Sequence, residues 1–344
     1  MRKINKIIFT TLMFFALLGL LSYFLTFNIK RAEVRKPIKV KLRLLWEAQA
    51  GYAGYYIAKE LGYYEDEGLQ VEIIPSLGAG DIIPVIADHP YQFGVTQLSN
   101  LIRAIDKGIP VKGIAQIVQE SNLLLVTHKT SNILSVKDFK GKILSTWWGK
   151  DDFMIRMLLE KEGLKQNDIH ILDEKYWSNK SFLEHTSDII TAMRYNEYNQ
   201  LVMRENVPED ELRVFAYKDY DLNFPEDVLF TSELMLNNYP LICDKFRMAT
   251  IKGWEYAINN KDASTRIVVE KYASGGNANY KEQLRQLQLV SESILAGNEN
   301  VNIIGVINIE NIKKELDALI NYNIINNKLM ISDVFDNRFV RKDL

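Results

Sequence analysis

From Pro37 onward, short runs of alternating apolar and polar residues take turns with longer runs of helical spacing, and glycine or proline punctuates each change. Few patterns narrow a fold so far, because strands joined through helices pair in parallel and need both faces of their sheet covered. In "IKVKLRLLW", Ile38, Val40, Leu42 and Leu44 alternate with Lys39, Lys41 and Arg43, as a half-buried strand requires. Ala53–Leu61 then suits a helix stopped by Gly62, and "LQVEII" a strand closed by Pro75. "YQFGVT", "LSNLIRAIDKG" and "IPVKGIAQIV" repeat the unit, with Gly108 as C-cap and Pro110 behind it. A second segment opens near Thr127, with a strand at Ile143–Thr146, the loop "WWGKDD" and a helix Phe153–Glu162 before Gly163. "DIHIL", "DIITAMRY" and "ELRVFAY" read as further strands. After "DVLFTSELM" the pattern turns helical, with Leu241, Phe246, Ala249, Ile251, Trp254 and Ile258 near one face. The expectation is an α/β chain of parallel-rich sheets flanked by helices. Two lobes are expected, residues 37–126 with 228–344 and residues 127–227, with chain crossings near Val126–His128 and Phe224–Phe230.

Composition removes several function classes. A net charge of −2 over 344 residues argues against a nucleic-acid partner, whose binding domain is normally strongly basic. Cys243 is the single cysteine, which rules out an internal disulfide and any multi-cysteine metal site. His89, His128, His170 and His185 are scattered and form no metal-ligating spacing, so neither a metal nor a cofactor is expected. At the start, Arg2, Lys3 and Lys6 precede an uncharged apolar run, Ile7–Phe27, which as a helix would extend about 30 Å and reach across a bilayer. Bulky Tyr23, Phe24 and Phe27 oppose a cleavage site, and no cysteine follows for lipidation. Residues 1–36 therefore read as an export signal or, with cleavage disfavoured, an uncleaved membrane anchor and linker, and positive charge on both sides of the run leaves its orientation to be set by function.

In an open α/β sheet, ligands lie beyond the carboxyl ends of the strands. Trp46, Glu47 and Gln49 follow the first strand, Thr96, Gln97 and Ser99 the third, Trp147, Trp148 and Asp151 the first strand of the second segment, and Tyr195, Asn196 and Glu197 the run "IITAM". Rings, amides and carboxyls thus recur at one topological position. A flat heteroaromatic ligand needs that combination, since ring faces stack while a carboxylate or amide reads donors in the ring plane. Glu197 is equally suited to the first turn of a helix, where the dipole favours an acid. Tyr55, Tyr56, Tyr63 and Tyr64 fit core or hinge packing as well as a ligand. "PSLGAGD" frees the backbone at Gly78 and Gly80 to present N–H groups, or is a turn before a helix. Asp151 and Asp152 can cap the helix behind them or bind an amine.

The segments "WEAQAGYAGYYIAKELGYYEDEGLQVEIIP", "FGVT", "GIPVKGIAQI", "KDFKGKILSTWWGKDD", "AMRYNE", "EDVLFTSE" and "KGWEYAI" resemble, in order, the NMT1/THI5-like substrate-binding proteins of ABC transporters. The resemblance runs over nearly the whole chain after Pro37. It implies the two-lobed periplasmic binding protein fold of type II, closing on a small molecule and delivering it to a permease driven by an ATPase subunit. For pyrimidine-binding members it also implies ring contacts from Trp46, Tyr55 and Glu197, and hence a ligand like a thiamine pyrimidine precursor. Glu47 departs from the histidine that members often carry there. Fungal synthases of the same fold consume a histidine and depend on a cysteine-rich motif. This chain has no histidine in its opening motif and one cysteine in all, so binding, not catalysis, is expected. A ligand sensor is the alternative from another class.

Overall fold

The computed structural model describes Gly19 and residues 36–76, 82–147, 152–174 and 179–340. The apolar run at 7–27, Gly78, Gly80, Trp148 and Asp151 lie outside that set apart from Gly19. Within the described residues no helix is long and apolar enough to cross a membrane.

Residues 39–344 form one compact unit built on two five-stranded sheets. The first has the order β2-β1-β3-β10-β4, from β1 (Ile38–Arg43), β2 (Leu69–Ile74), β3 (Gln92–Gln97), β4 (Val111–Gln116) and β10 (Asp227–Ser232). The second has the order β7-β6-β8-β5-β9, from β5 (Leu123–His128), β6 (Ile143–Thr146), β7 (His170–Asp173), β8 (Ile189–Met193) and β9 (Leu212–Ala216). β1 runs parallel to β3, and β6 parallel to both β7 and β8. β10 and β5, the strands that enter each sheet from the other, lie antiparallel to both of their neighbours. Each sheet is therefore mixed, and the reversal falls at the crossings.

β5 pairs along its whole length within the second sheet. The passage between sheets thus occupies Ile117–Asn122, ahead of the expected Val126–His128, and the return occupies Tyr217–Glu226. The sequence hid this because "LLLVTH" continues the apolar run of β4 with only a polar stretch, Gln119–Asn122, between them. In β1 the expected alternation holds, with Val40 and Leu42 buried and Lys39 and Lys41 exposed. β10 is buried at all six positions, including Asp227, Thr231 and Ser232, as a strand covered on both faces must be.

The helix Ala53–Glu60 packs along the long helix Pro240–Asn259, whose N1 proline sets its entry. Two glycines permit backbone-to-backbone approach there. A Cβ on Gly54 would sit 2.2 Å from the ring of Trp254, and one on Gly253 would sit 2.2 Å from the Gly54 carbonyl oxygen. The tyrosines of the opening motif fill this contact. Tyr55 meets Trp254 edge-on, with centroids 5.5 Å apart, and Tyr64 stacks on Phe246 while its hydroxyl bonds Thr250 at 2.9 Å. Leu241, expected on the buried face, stands exposed in the first turn of the long helix.

Candidate functional site

A cavity of about 210 Å³ opens at the carboxyl ends of the strands, between the two sheets. Trp46 and Gln49 reach it from the segment after β1, and Tyr195, Asn196 and Glu197 from the turn after β8. These five were singled out by the strand-end argument, and the fold brings them together. Chain geometry explains why: β8 stops at Met193, and the Asn196 N–H bonds back to the Met193 carbonyl at 3.1 Å, turning Tyr195 into the cleft. The Tyr195 ring passes over Gly51, where even a methyl group would lie 3.5 Å from it.

Other expected residues go elsewhere. Tyr55 is fully buried against Trp254, one layer behind Tyr52, which does line the cavity. Consecutive helical positions explain the difference, since Tyr52 ends the short turn before the helix and Tyr55 lies on its core face. Thr96 lies inside β3 opposite Val228 and points away from the cleft, whereas Gln97, the next residue along the pleat, lines it. Ser99 faces a neighbouring cavity. Asp152 is a helix cap, accepting from the Ile155 N–H at 3.1 Å and from the Thr146 hydroxyl at 2.6 Å.

Glu197 occupies both roles open to it from sequence. It starts the helix Glu197–Met203, and it also lines the cavity. Oε2 accepts from the Met193 N–H at 2.9 Å and Oε1 from the Asn196 amide at 2.7 Å. Burial pushes this carboxyl up to about 7, against the pull of those hydrogen bonds. Asn196 Oδ1 in turn accepts from Gln286 at 3.3 Å, and the same Gln286 amide donates to Gln49 at 3.0 Å. Gln286 Oε1 accepts from the Gly51 N–H at 3.0 Å. One glutamine of the helix Tyr280–Leu295 therefore ties the segment after β1 to the turn after β8.

The sequence argument missed Asp227, the first residue of β10 and the register partner of Gln97. It is 6% exposed, its carboxyl accepts no hydrogen bond from the described residues, and burial alone raises it to about 7. Asp227 opens its strand, but that strand is antiparallel to β3, so its start lies at the carboxyl end of its neighbour. Strand direction was the missing signal. Tyr52 and Tyr195 keep their protons well above the ordinary phenol range, chiefly through burial and then through the nearby Asp227 charge. The cavity thus offers ring faces and two carboxyls poised near neutrality, one from each sheet. No cluster able to hold a metal ion occurs among the described residues.

The chain is 21% identical to the formylaminopyrimidine-binding protein of Halalkalibacterium halodurans, over 67% of this chain and 69% of that one. It is 22% identical to the riboflavin-binding protein RibY of Chloroflexus aurantiacus, over 65% and 64% of the two chains. A 4-amino-5-hydroxymethyl-2-methylpyrimidine phosphate synthase of Schizosaccharomyces pombe is 27% identical, but over only 38% of each chain. Among solved structures, the periplasmic sulfonate-binding protein SsuA of Methylobacillus flagellatus superposes with a TM-score of 0.63 at 16% identity, covering 88% of this chain and 93% of that one. The fold is that of the periplasmic binding proteins. The NMT1/THI5-like family model matches residues 49–264, and the chain belongs to that family.

Proposed function

We propose that this protein is the extracytoplasmic solute-binding component of an ABC importer, held at the membrane by residues 7–27, and that it binds a small heteroaromatic ligand related to the aminopyrimidines. The observation that carries this reading is the pairing of Glu197 and Asp227 across an aromatic-lined cavity, each supplied by a different sheet. Trp46, Tyr52 and Tyr195 present ring faces, and the two carboxyls accept from the amino hydrogens of such a ligand. The proposed lobes follow the two sheets, hinged at 117–122 and 217–226, and contacts from both favour the closed state. The relatives that bind a formylaminopyrimidine and riboflavin support a nitrogen heterocycle.

A thermal-shift panel of pyrimidines, flavins, sulfonates and polyamines on the purified protein tests this. A ligand at a hundred times its Kd stabilises the folded state by about 2.7 kcal/mol. Stabilisation by pyrimidines or flavins is expected. Stabilisation by sulfonates or polyamines alone overturns the heteroaromatic reading.

A further inference from the structure

Two consecutive acids, Glu226 just ahead of β10 and Asp227 at its first position, line different cavities. Asp227 faces the cleft. Glu226 faces a second cavity of about 260 Å³, and Gln97 and Asn100 line both. The two cavities therefore abut along the edge of β3 and the helix Leu98–Asp106 that follows it.

The second cavity has an unusual lining for a packing defect. Glu315, on the helix Ile309–Asn321, is fully buried, lines this cavity, and has no hydrogen-bond partner among the described residues on either carboxyl oxygen. Burial and then the Glu226 charge push its carboxyl well above the usual carboxylate range. Glu226 is held differently, accepting from the Asn122 N–H at 2.6 Å, the Asn122 amide at 3.0 Å and the Ser121 hydroxyl at 3.2 Å. Arg103 also lines the cavity, with its guanidinium 5.4 Å from the Phe153 ring centroid. The wall thus mixes acceptors with donors.

We propose that this cavity is an arm subsite of the cleft, which takes a short polyhydroxyl chain carried by the flat ring. The inference rests on the heteroaromatic reading of the cleft and specifies its substrate class. A hydroxyl both donates and accepts, so successive hydroxyls can donate to the carboxyls and accept from Arg103 and the Gln97 and Asn100 amides. A cationic arm would meet Arg103, and an anionic arm would meet Glu226. A polyol meets neither conflict, and it gives Glu315 the partner that the described residues do not supply.

Matched probe pairs test the arm separately from the ring. Calorimetry on the full-length protein in detergent compares riboflavin with lumiflavin, which keeps the ring and replaces the ribityl chain by a methyl group. It also compares cytidine with 1-methylcytosine. In a pair that binds, the arm-bearing member should bind at least about tenfold more tightly. Glu315→Leu should abolish that preference and leave the armless affinity within about twofold. Glu315→Gln, closest to the native shape, should reduce the preference if the leucine variant lacks a cooperative melt. Equal binding within a pair, or a preference that survives the Glu315 substitutions, overturns the arm subsite while the ring reading stands. Absence of binding by all four probes overturns the ring reading, and the arm subsite with it.

Discussion

Replacing Glu197 by glutamine keeps the side chain's size and changes its hydrogen-bond sense. The native carboxyl accepts on both oxygens, from the Met193 N–H and the Asn196 amide. A glutamine can satisfy one of these with its oxygen and must turn its NH2 toward the other donor or into the cleft. Asn196 cannot flip freely to compensate, because its Oδ1 already accepts from Gln200 at 2.9 Å and from Gln286. One unmet buried partner costs about 1–3 kcal/mol, so affinity for an aminopyrimidine should fall roughly tenfold to more than a hundredfold. Stability should respond to pH in a distinctive way. The folded protein holds the Glu197 proton up to about 7, while the unfolded chain releases it near its ordinary value of 4.5. Between those values the folded state binds more protons, so the native protein loses stability as pH rises, by on the order of 3 kcal/mol from this residue. The glutamine variant lacks that loss. It should therefore be less stable than the native protein at pH 5 and should close or reverse the gap by pH 8. Urea titrations at the two pH values, with calorimetry on a confirmed aminopyrimidine, measure both effects. Unchanged affinity would show that Glu197 serves only its helix terminus and backbone donors, and parallel stability profiles would remove the titration argument.

Asp227→Asn should weaken the same ligand by roughly tenfold or more, since the carboxyl has no acceptor role among the described residues to lose; equal affinity by calorimetry would take it out of the site. Gly54→Ala should destabilise the protein by about 1–3 kcal/mol in urea titration despite the gain in helix propensity, because the added methyl group overlaps the Trp254 ring. A variant as stable as the parent would mean that the two helices are not pressed together as described. Gln286→Leu removes the link between Gln49 and Asn196 and should speed ligand release in stopped-flow measurements, with association little changed; an unaltered release rate would show that the link does not hold the closed state.

Much of the fold was legible because parallel-rich sheets write themselves as repeated strand–helix units, and each unit here carries its own stop residue, such as Gly62, Gly108 or Gly163. Strand direction was not legible. β5 and β10 look like other apolar runs, and only their pairing shows that they reverse. Asp227 escapes the strand-end argument for that reason, because it opens a strand that runs antiparallel to β3. Tyr55 and Tyr52 could not be separated by residue type, since both are tyrosines three positions apart; the helix against which one of them packs lies about two hundred residues further on. Gln286 sits in a polar helical stretch, "KEQLRQLQLVSES", where sequence offers nothing to distinguish it from Gln283 or Gln288.

The two acids of the cleft also couple binding to protons. Glu197 and Asp227 are each pushed up to about 7 by burial, so at neutral pH each holds about half a proton in the free protein. A neutral aminopyrimidine presents donors, which favour the ionised carboxylate over the acid and lower both values on binding. Binding near pH 7 should then release up to about one proton in total, and affinity should rise with pH until the acids are fully ionised in the free protein. Calorimetry in phosphate and in Tris, whose ionisation enthalpies differ widely, reads the released protons directly from the difference in apparent heat. Glu197→Gln should halve the release, and combining it with Asp227→Asn should abolish it. Identical heats in the two buffers at pH 7 would mean that the carboxyls do not change protonation against the ligand.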